Sequence, residues 1–166
     1  MKAGILTASD KGSKGDREDV SGAKVREILE KSGFKIEVYQ IIPDEQELIK
    51  KKLIEWSDEL CLPLIITTGG TGLSDRDITP EATGEVLEKE IPGFGEAMRA
   101  AGMQHTPYAI LSRGKAGIRG KSLIINLPGN PKAVVENLNT VFPVLDHAIR
   151  KILGDREDCA SLREKV

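Results

Sequence analysis

The chain has 166 residues, a formal net charge of −2, two cysteines and two histidines. This length suits one domain with a complete buried core, so we expect a single domain over residues 1–166. Lysines and arginines are scattered among acidic residues, which argues against nucleic-acid binding, because that function needs a clustered basic face. No apolar run approaches the roughly 20 residues of a membrane span, and Cys61 and Cys159 lack metal-ligand spacing. We therefore expect a cytoplasmic protein with reduced thiols that binds neither nucleic acid nor membranes.

The first part of the chain predicts strands alternating with helices. An apolar strand covers residues 3–7, a polar loop runs from Ser9 to Asp19, and a helix over residues 20–32 stops at Gly33. A second strand at residues 34–42 leads into a helix that opens at Pro43-Asp44-Glu45-Gln46-Glu47. Asp44 and Glu47 have the spacing of a capping box. Asp44 also follows a strand, where it would be close to a metal-bound phosphate, and both roles can hold at once.

A buried strand at residues 63–66 precedes the most informative segment, a glycine-rich turn. Gly69, Gly70 and Gly72 lack a Cβ, so backbone N–H groups can approach a ligand closely. Thr79 is expected to be the N-cap of the next helix, residues 80–90, with Pro80 at its first position. A helix N-terminus carries a positive field, so the segment suits phosphate.

Two carboxylates, Asp75 and Asp77, flank Arg76 in the same segment. They would repel a bare phosphate, so they predict a divalent cation between the acids and the phosphate. The lysine of a Walker A loop does not follow Gly72, and the dinucleotide fingerprint does not fit either. A tight turn with solvated charges remains the alternative.

The second half of the chain continues the alternation. Residues 91–99 break the preceding helix and begin a short one, and residues 108–111 and 123–127 are predicted to be strands. The last helix starts near Pro131, and Pro143 inside it should kink or split it. The whole pattern predicts an α/β protein, a three-layer sandwich with a mainly parallel sheet flanked by helices.

Two further loops are candidate binding segments. Residues 112–117 combine Ser112, Arg113 and Gly117, and they read either as a phosphate-binding loop or as a solvated one. Residues 126–131 contain Pro128, a glycine and Asn130; a turn with a helix cap is the simpler interpretation, and ligand binding is the other. Ligands of parallel sheets bind beyond the carboxyl ends of the strands, where we expect all these loops to converge.

Taken together, these segments resemble the molybdopterin adenylyltransferase family, which includes the bacterial Mog-type proteins and the gephyrin G domain. The matching motifs cover residues 67–72, 76–83, 92–99, 112–117 and 126–131, in order over nearly the whole chain. The resemblance implies transfer of AMP from ATP to the terminal phosphate of molybdopterin, with Mg²⁺ required and pyrophosphate released. It also implies a homotrimer and hand-over of the product to a separate molybdate insertase.

The resemblance also assigns candidate site residues. Asp44 and Asp77 match the family's essential acidic positions and are the expected catalytic residues and Mg²⁺ ligands. The expected substrate- and nucleotide-binding residues are Gly69, Gly70, Thr71, Gly72, Asp75, Ser112, Arg113, Gly117, Pro128, Gly129 and Asn130. No nucleophile constellation stands out, which agrees with catalysis by alignment and charge neutralisation. The alternatives are a molybdopterin-binding paralogue with little adenylyl transfer and a non-catalytic pterin carrier.

Overall fold

A computed structural model describes residues 1–155, which form one six-stranded sheet with helices on both faces. The strands are β1 (Lys2–Ala8), β2 (Lys35–Ile42), β3 (Leu64–Thr68), β4 (Lys89–Glu90), β5 (Ala116–Arg119) and β6 (Ser122–Leu127). The helices are α1 (Asp10–Ser13), α2 (Val20–Lys31), α3 (Gln46–Ile54), α4 (Thr79–Val86), α5 (Pro92–Met103) and α6 (Pro131–Ile152). A π-helical turn, Glu55–Glu59, extends α3, and a 3₁₀ helix, Pro107–Leu111, follows α5. Cys159 lies outside the described residues.

The sheet has the strand order β2-β1-β3-β6-β5-β4, and its first four strands are parallel. β5 runs antiparallel to β6, and β4 antiparallel to β5. The central strands β3 and β6 are buried along their whole length, as expected for aliphatic runs covered on both faces. The predicted mainly parallel α/β sandwich is confirmed.

Two hydrophobic cores separate the three layers. One core joins the sheet to α2, α5 and α6 through residues such as Val25, Met98 and Leu138. The other joins the opposite face to α3, its π-helical extension and α4, with Trp56 fully buried. Within residues 1–155, no helix is long and apolar enough to cross a membrane.

Two local predictions were wrong, one strand was missed, and one predicted split is absent. Residues 108–111 form the 3₁₀ helix rather than a strand, because Pro107 starts a helical turn and Thr106 accepts a hydrogen bond from the Tyr108 N–H. The helix expected to reach residue 90 ends at Val86, where Leu87 turns extended and leads into β4. β5 was not predicted at all. Of the two effects predicted for Pro143, a split does not occur: α6 runs from Pro131 to Ile152, with Val141 and Leu145 buried in the same core.

The helix caps predicted at Thr79 and Asp44 were also wrong. Ile78 precedes α4 and makes no side-chain cap, so Thr79 is the first helical residue and not the N-cap. Glu45 precedes α3, again without a side-chain cap. The Asp44 carboxylate instead accepts a hydrogen bond from the Asp10 N–H, at 2.8 Å, and so serves the loop after β1.

Candidate functional site

The loops that follow β1, β2, β3 and β6 meet at the carboxyl edge of the parallel strands. Backbone and side chain join them: the Gly69 N–H donates to the Leu127 carbonyl oxygen at 3.3 Å, and Thr68 Oγ1 donates to the Pro128 oxygen at 2.9 Å. Ser21, on α2, donates to the Gly129 oxygen at 2.7 Å. The predicted convergence is confirmed for these four loops. The residues 112–115 loop instead precedes an antiparallel strand, although Ser112 still reaches the site.

Two cavities open at this edge and share one wall. The larger has a volume of about 780 Å³, and the smaller about 390 Å³. Gly70, Asp77, Gly129 and Asn130 line both. A molecule in one cavity and a molecule in the other would therefore meet at this shared wall.

The larger cavity lies between the glycine turn, α5, the 3₁₀ helix and the start of α6. Apolar side chains such as Met98 and Leu111 form part of its wall, while Arg99 donates to the Ser112 carbonyl oxygen at 3.3 Å. Asn137 lines it with a buried Oδ1 that has no hydrogen-bond partner within residues 1–155. An apolar wall with a few fixed polar groups suits a planar heterocycle.

The smaller cavity is polar and lies between the loop after β1 and the start of α2. Its wall includes Asp19, whose carboxylate accepts hydrogen bonds from Thr7 Oγ1 at 2.5 Å, from the Tyr39 hydroxyl at 2.6 Å and from the Gly22 N–H at 2.8 Å. Burial, and then the Asp19 carboxylate, raise the pKa of Tyr39, so its hydroxyl stays a neutral donor. Asp19 is therefore held rigidly at the edge of the site.

Glycine backbone forms part of the wall between the cavities and of the loops next to it. Gly69 and Gly70 have φ values of +91° and +61°, in the left-handed region that favours glycine. A Cβ on Gly69 would collide with the Ala8 carbonyl oxygen, and a Cβ on Gly129 would lie 3.3 Å from Gly69 Cα. These three glycines allow the loops to pack together without side chains between them.

Asp44 and Asp77, the two predicted acidic residues, both line the smaller cavity. Asp44 and Asp10 exchange hydrogen bonds, since the Asp44 N–H also donates to Asp10 Oδ1 at 3.1 Å. Arg76 holds Asp10 with a bidentate contact at 2.8 and 3.0 Å. Asp77 Oδ2 accepts a hydrogen bond from the Ser74 N–H at 2.8 Å. The two carboxylates therefore belong to ordered turns.

Burial raises the pKa of Asp44, and the charges of Asp10 and Asp77 add to that rise. The Asp10 N–H and Arg76 act in the opposite direction. Hydrogen bonding to Arg76 lowers the pKa of Asp10. The folded protein therefore keeps a negative charge at Asp44 at a cost in stability.

Replacing Asp44 by asparagine should stabilise the fold at pH 7. A raised folded-state pKa means that the carboxyl favours folding below its ordinary pKa of 3.8 and loses that contribution as the pH rises through the folded value. Asparagine still accepts the Asp10 N–H but carries no charge. In denaturant unfolding without divalent cations, the free energy of unfolding of Asp44→Asn should exceed that of the wild type at pH 7. The difference should shrink by about pH 3.5.

Asp16→Asn is the matched control for that experiment, since it removes the same charge from an exposed position in the loop after β1. It should change stability little at either pH. An Asp44→Asn variant less stable than the wild type at pH 7 would show that the charge supports the fold.

The other predicted site residues divide into two groups. Gly70, Thr71, Gly72, Ser112, Pro128, Gly129 and Asn130 line the larger cavity, and Gly69 lines the smaller one. Asp75 is exposed and lines neither cavity. Gly117 lies inside β5, packed against Leu87 and Lys89, and lines neither cavity.

Arg113 makes several hydrogen bonds within the protein. Its Nε donates to the Gly72 carbonyl oxygen at 2.7 Å, and its other nitrogens contact the Asp77 carbonyl oxygen and the Glu81 carboxylate. It therefore ties the glycine turn to α4. Asn130 caps α6 by accepting from the Lys132 and Ala133 N–H groups, so the turn-and-cap interpretation of that motif is confirmed.

The carboxylates fit a magnesium ion that takes most of its ligands from elsewhere. Within residues 1–155, no group of three or more acidic, histidine or cysteine side chains could hold a metal alone. Asp44 and Asp77 do face one cavity. Mg²⁺ is commonly bound by one or two carboxylates together with substrate phosphates and water, and this donor set has that character.

Comparison with known proteins gives a consistent result over most of the chain. Residues 4–147 match the family model described as a probable molybdopterin binding domain. The molybdopterin adenylyltransferase of Helicobacter pylori strain ATCC 700392 / 26695 is 51% identical over 156 residues, covering 92% of this chain and 88% of that protein. The Escherichia coli K12 molybdopterin adenylyltransferase is 42% identical, over 85% of this chain and 73% of its own length. The crystal structure of the molybdopterin biosynthesis enzyme MoaB from Thermus thermophilus superposes with a TM-score of 0.87 at 51% identity, covering 93% of this chain and 97% of that one.

Proposed function

The chain belongs to the family of probable molybdopterin binding domains, and on that basis we propose that it is a molybdopterin adenylyltransferase. Relatives with that name match it over most of their length as well as its own. The family resemblance expected from the sequence motifs is thus confirmed. The protein transfers AMP from ATP to molybdopterin in the synthesis of the molybdenum cofactor.

One observation supports a two-substrate reaction: the two cavities share the wall formed by Gly70, Asp77, Gly129 and Asn130. A group transfer between two bound molecules requires their reacting ends to meet in one place. A carrier that only stores a pterin would need one cavity. The shared wall therefore favours the transferase over the non-catalytic carrier.

The reaction needs no nucleophile from the protein. An oxygen of the molybdopterin terminal phosphate attacks the α-phosphorus of ATP and forms a new P–O bond. The bond between the α-phosphorus and the oxygen that bridges to the β-phosphate breaks, and its electron pair leaves with pyrophosphate. The protein aligns the two phosphates and offsets their charge.

Each proposed site residue contributes to that alignment. Backbone at Gly69 and Gly70 and the helix α4 N-terminus give the phosphates a wall without side-chain bulk and with a positive field. Asp44 and Asp77 would hold Mg²⁺, which supplies positive charge to the phosphate oxygens as they gain negative charge. Ser112, Thr71, Gly72, Pro128 and Asn130 would bound the substrate in the larger cavity.

Pyrophosphate release tests the proposal. The purified protein is incubated with ATP, Mg²⁺ and molybdopterin, and pyrophosphate is measured with each component omitted in turn. Release that depends on all three supports the adenylyltransferase. Molybdopterin binding without release would instead support the paralogue or carrier.

We also expect a cytoplasmic homotrimer that passes its product to a separate molybdate insertase, as the family resemblance implies. Light scattering should then give about three times the 18.1 kDa chain mass. The 3₁₀ helix Pro107–Leu111 offers an apolar surface, since Tyr108 and Ile110 are 76% and 60% exposed. Such side chains are commonly covered by another subunit.

A matched pair of variants tests where the subunits meet. Ile110→Glu should lower the measured mass, whereas Leu60→Glu, also at an exposed aliphatic residue but beyond the π-helical turn, should not. A single-chain mass for the wild type at micromolar concentration would overturn the trimer. A trimer that survives Ile110→Glu would place the interface elsewhere.

A further inference from the structure

Arg99, on α5, places a guanidinium group in the wall of the larger cavity. Its Nη1 donates to two backbone carbonyl oxygens, those of Ser112 at 3.3 Å and Gly114 at 3.4 Å. Arg76 and Arg113, in the neighbouring loops, each contact a carboxylate, but Arg99 forms no ion pair within residues 1–155. A cation in a cavity wall without a carboxylate partner is suited to bind an anion.

The position of this guanidinium is fixed before any ligand binds. A Cβ on Gly95, one turn earlier in α5, would lie 3.1 Å from Arg99 Nη1 and 3.4 Å from Nη2, so the glycine leaves room for the side chain. The two carbonyl oxygens take the N–H groups of Nη1. Nε and Nη2 remain, and their N–H groups form a planar two-donor edge that matches two oxygens of a phosphate.

One peptide group connects Arg99 to the glycine turn. The carbonyl oxygen of Ser112 accepts from Arg99, and the N–H of the same peptide group, that of Arg113, donates to the Thr71 carbonyl oxygen at 3.0 Å. Thr71 follows Gly70, which lines both cavities. The guanidinium therefore lies close to the place where the contents of the two cavities meet.

The carboxylates divide the two substrates between the cavities. Asp44 lines only the smaller cavity and faces it together with Asp77, so Mg²⁺ and the triphosphate of ATP belong there. The larger cavity, with its apolar wall, then holds the pterin. Its phosphate must reach the shared wall, where Arg99 offers a positive charge. Glu136, also in this wall, has a cation of its own, Lys132 Nζ at 3.9 Å.

We propose that Arg99 binds the terminal phosphate of molybdopterin through its Nε and Nη2 N–H groups. This inference rests on the proposed function and adds a binding residue to it. Because the carbonyl oxygens of Ser112 and Gly114 already hold the side chain, little conformational entropy is lost when the phosphate arrives.

Removing the phosphate from the ligand, as well as the charge from the protein, tests the contact directly. Arg99→Gln removes the charge, and Arg99→Lys keeps the charge but loses the two-donor edge. Arg119→Gln is the control, since Arg119 Nη1 also donates to a backbone carbonyl oxygen, that of Val86 at 3.1 Å, but lines neither cavity. Each protein is titrated with molybdopterin, with molybdopterin whose terminal phosphate has been removed by a phosphatase, and with ATP. Thermal unfolding is measured alongside.

The affinity for molybdopterin should fall on the order of 100-fold in Arg99→Gln, the size of two hydrogen bonds between charged groups, and roughly tenfold in Arg99→Lys. The affinities of both variants for the dephosphorylated ligand and for ATP should stay within about threefold of the wild type. Arg119→Gln should bind all three ligands like the wild type. Arg99→Gln should melt within a few degrees of the wild type, because it loses only two long hydrogen bonds.

Three binding results would overturn the proposal. Wild-type molybdopterin affinity in Arg99→Gln would remove the contact. Equal losses for the phosphorylated and dephosphorylated ligands would show that the side chain only shapes the cavity. A loss confined to ATP would place a phosphate of ATP at Arg99 instead. If Arg99→Gln fails to fold, the same comparison of ligands in Arg99→Lys decides.

The proposed function fails in a different way. A wild-type protein that binds molybdopterin and ATP without releasing pyrophosphate would overturn the adenylyltransferase alone, because the binding comparison needs no turnover. A wild-type protein that binds molybdopterin no better than its dephosphorylated form would overturn this inference alone.

Discussion

Asp77→Asn should lower the rate of pyrophosphate release by about 10²–10³-fold while leaving molybdopterin affinity nearly unchanged. Asp77 lines both cavities and accepts the Ser74 N–H. An asparagine oxygen can accept the same hydrogen bond, so the turn should survive the substitution. What the variant loses is the negative charge that would hold Mg²⁺ against the phosphates.

Asp75→Asn is the control for this prediction. It removes the same charge two residues away, from an exposed side chain that lines neither cavity. Its rate should stay within a few-fold of the wild type. Both variants are measured across a Mg²⁺ titration, because a weakened metal site needs more metal. If Asp77→Asn keeps near wild-type turnover at every Mg²⁺ concentration, Asp77 serves only the turn.

Gly70→Ala should abolish most of the transfer activity, with a loss of at least about 10²-fold. The added methyl group would collide with Thr79 Oγ1 and lie 3.1 Å from Asp44 Oδ1, so the glycine turn must shift at the wall of both cavities. It also forces alanine to adopt a φ of +61°, which costs about 1–2 kcal/mol. Activity is therefore expected to fall much further than stability alone explains.

Gly120→Ala is the control that separates the backbone cost of a positive φ from the collision of the added methyl group. Gly120 has a φ of +54°, close to that of Gly70, but a Cβ there would meet nothing within 4 Å. Both variants should lose a similar amount of stability from the backbone, and Gly120→Ala should keep its activity. A Gly70→Ala protein that retains wild-type turnover would show that ligands do not approach this glycine.

The sequence predicted the elements that carry strong patterns. β1, β3 and β6 are aliphatic runs bounded by turn residues, and such runs in alternation with helices indicate a parallel sheet. β5 contains only four residues, Ala116–Arg119, among them a glycine, and is too short to show a period. Residues 108–111 are apolar but are not buried like a central strand. An apolar sequence alone does not distinguish a buried strand from an exposed 3₁₀ helix.

The predicted residues line the cavities where residue type and position in the fold agreed. Asp44 and Asp77 follow strands in glycine- or proline-containing turns, and both face the smaller cavity. Asp10 and Asp19 were missed because the polar loop that holds them contains several charged residues of equal appearance. Thr79 was expected to cap a helix, but Ile78 takes the N-cap position and Thr79 packs closely against Gly70. Contacts between segments distant in sequence decide these roles.

The backbone wall between the cavities also affects how the protein can evolve. Gly69, Gly70 and Gly129 have no side chain to exchange, and almost any replacement at Gly69 would collide with the Ala8 carbonyl oxygen. Substitutions that change ligand preference are therefore expected at the outer walls. Tyr108 and Lys132 line the larger cavity there, and Arg17 lines the smaller one. Two ligand preferences can then diverge separately, because these outer residues belong to one cavity or the other and not to both.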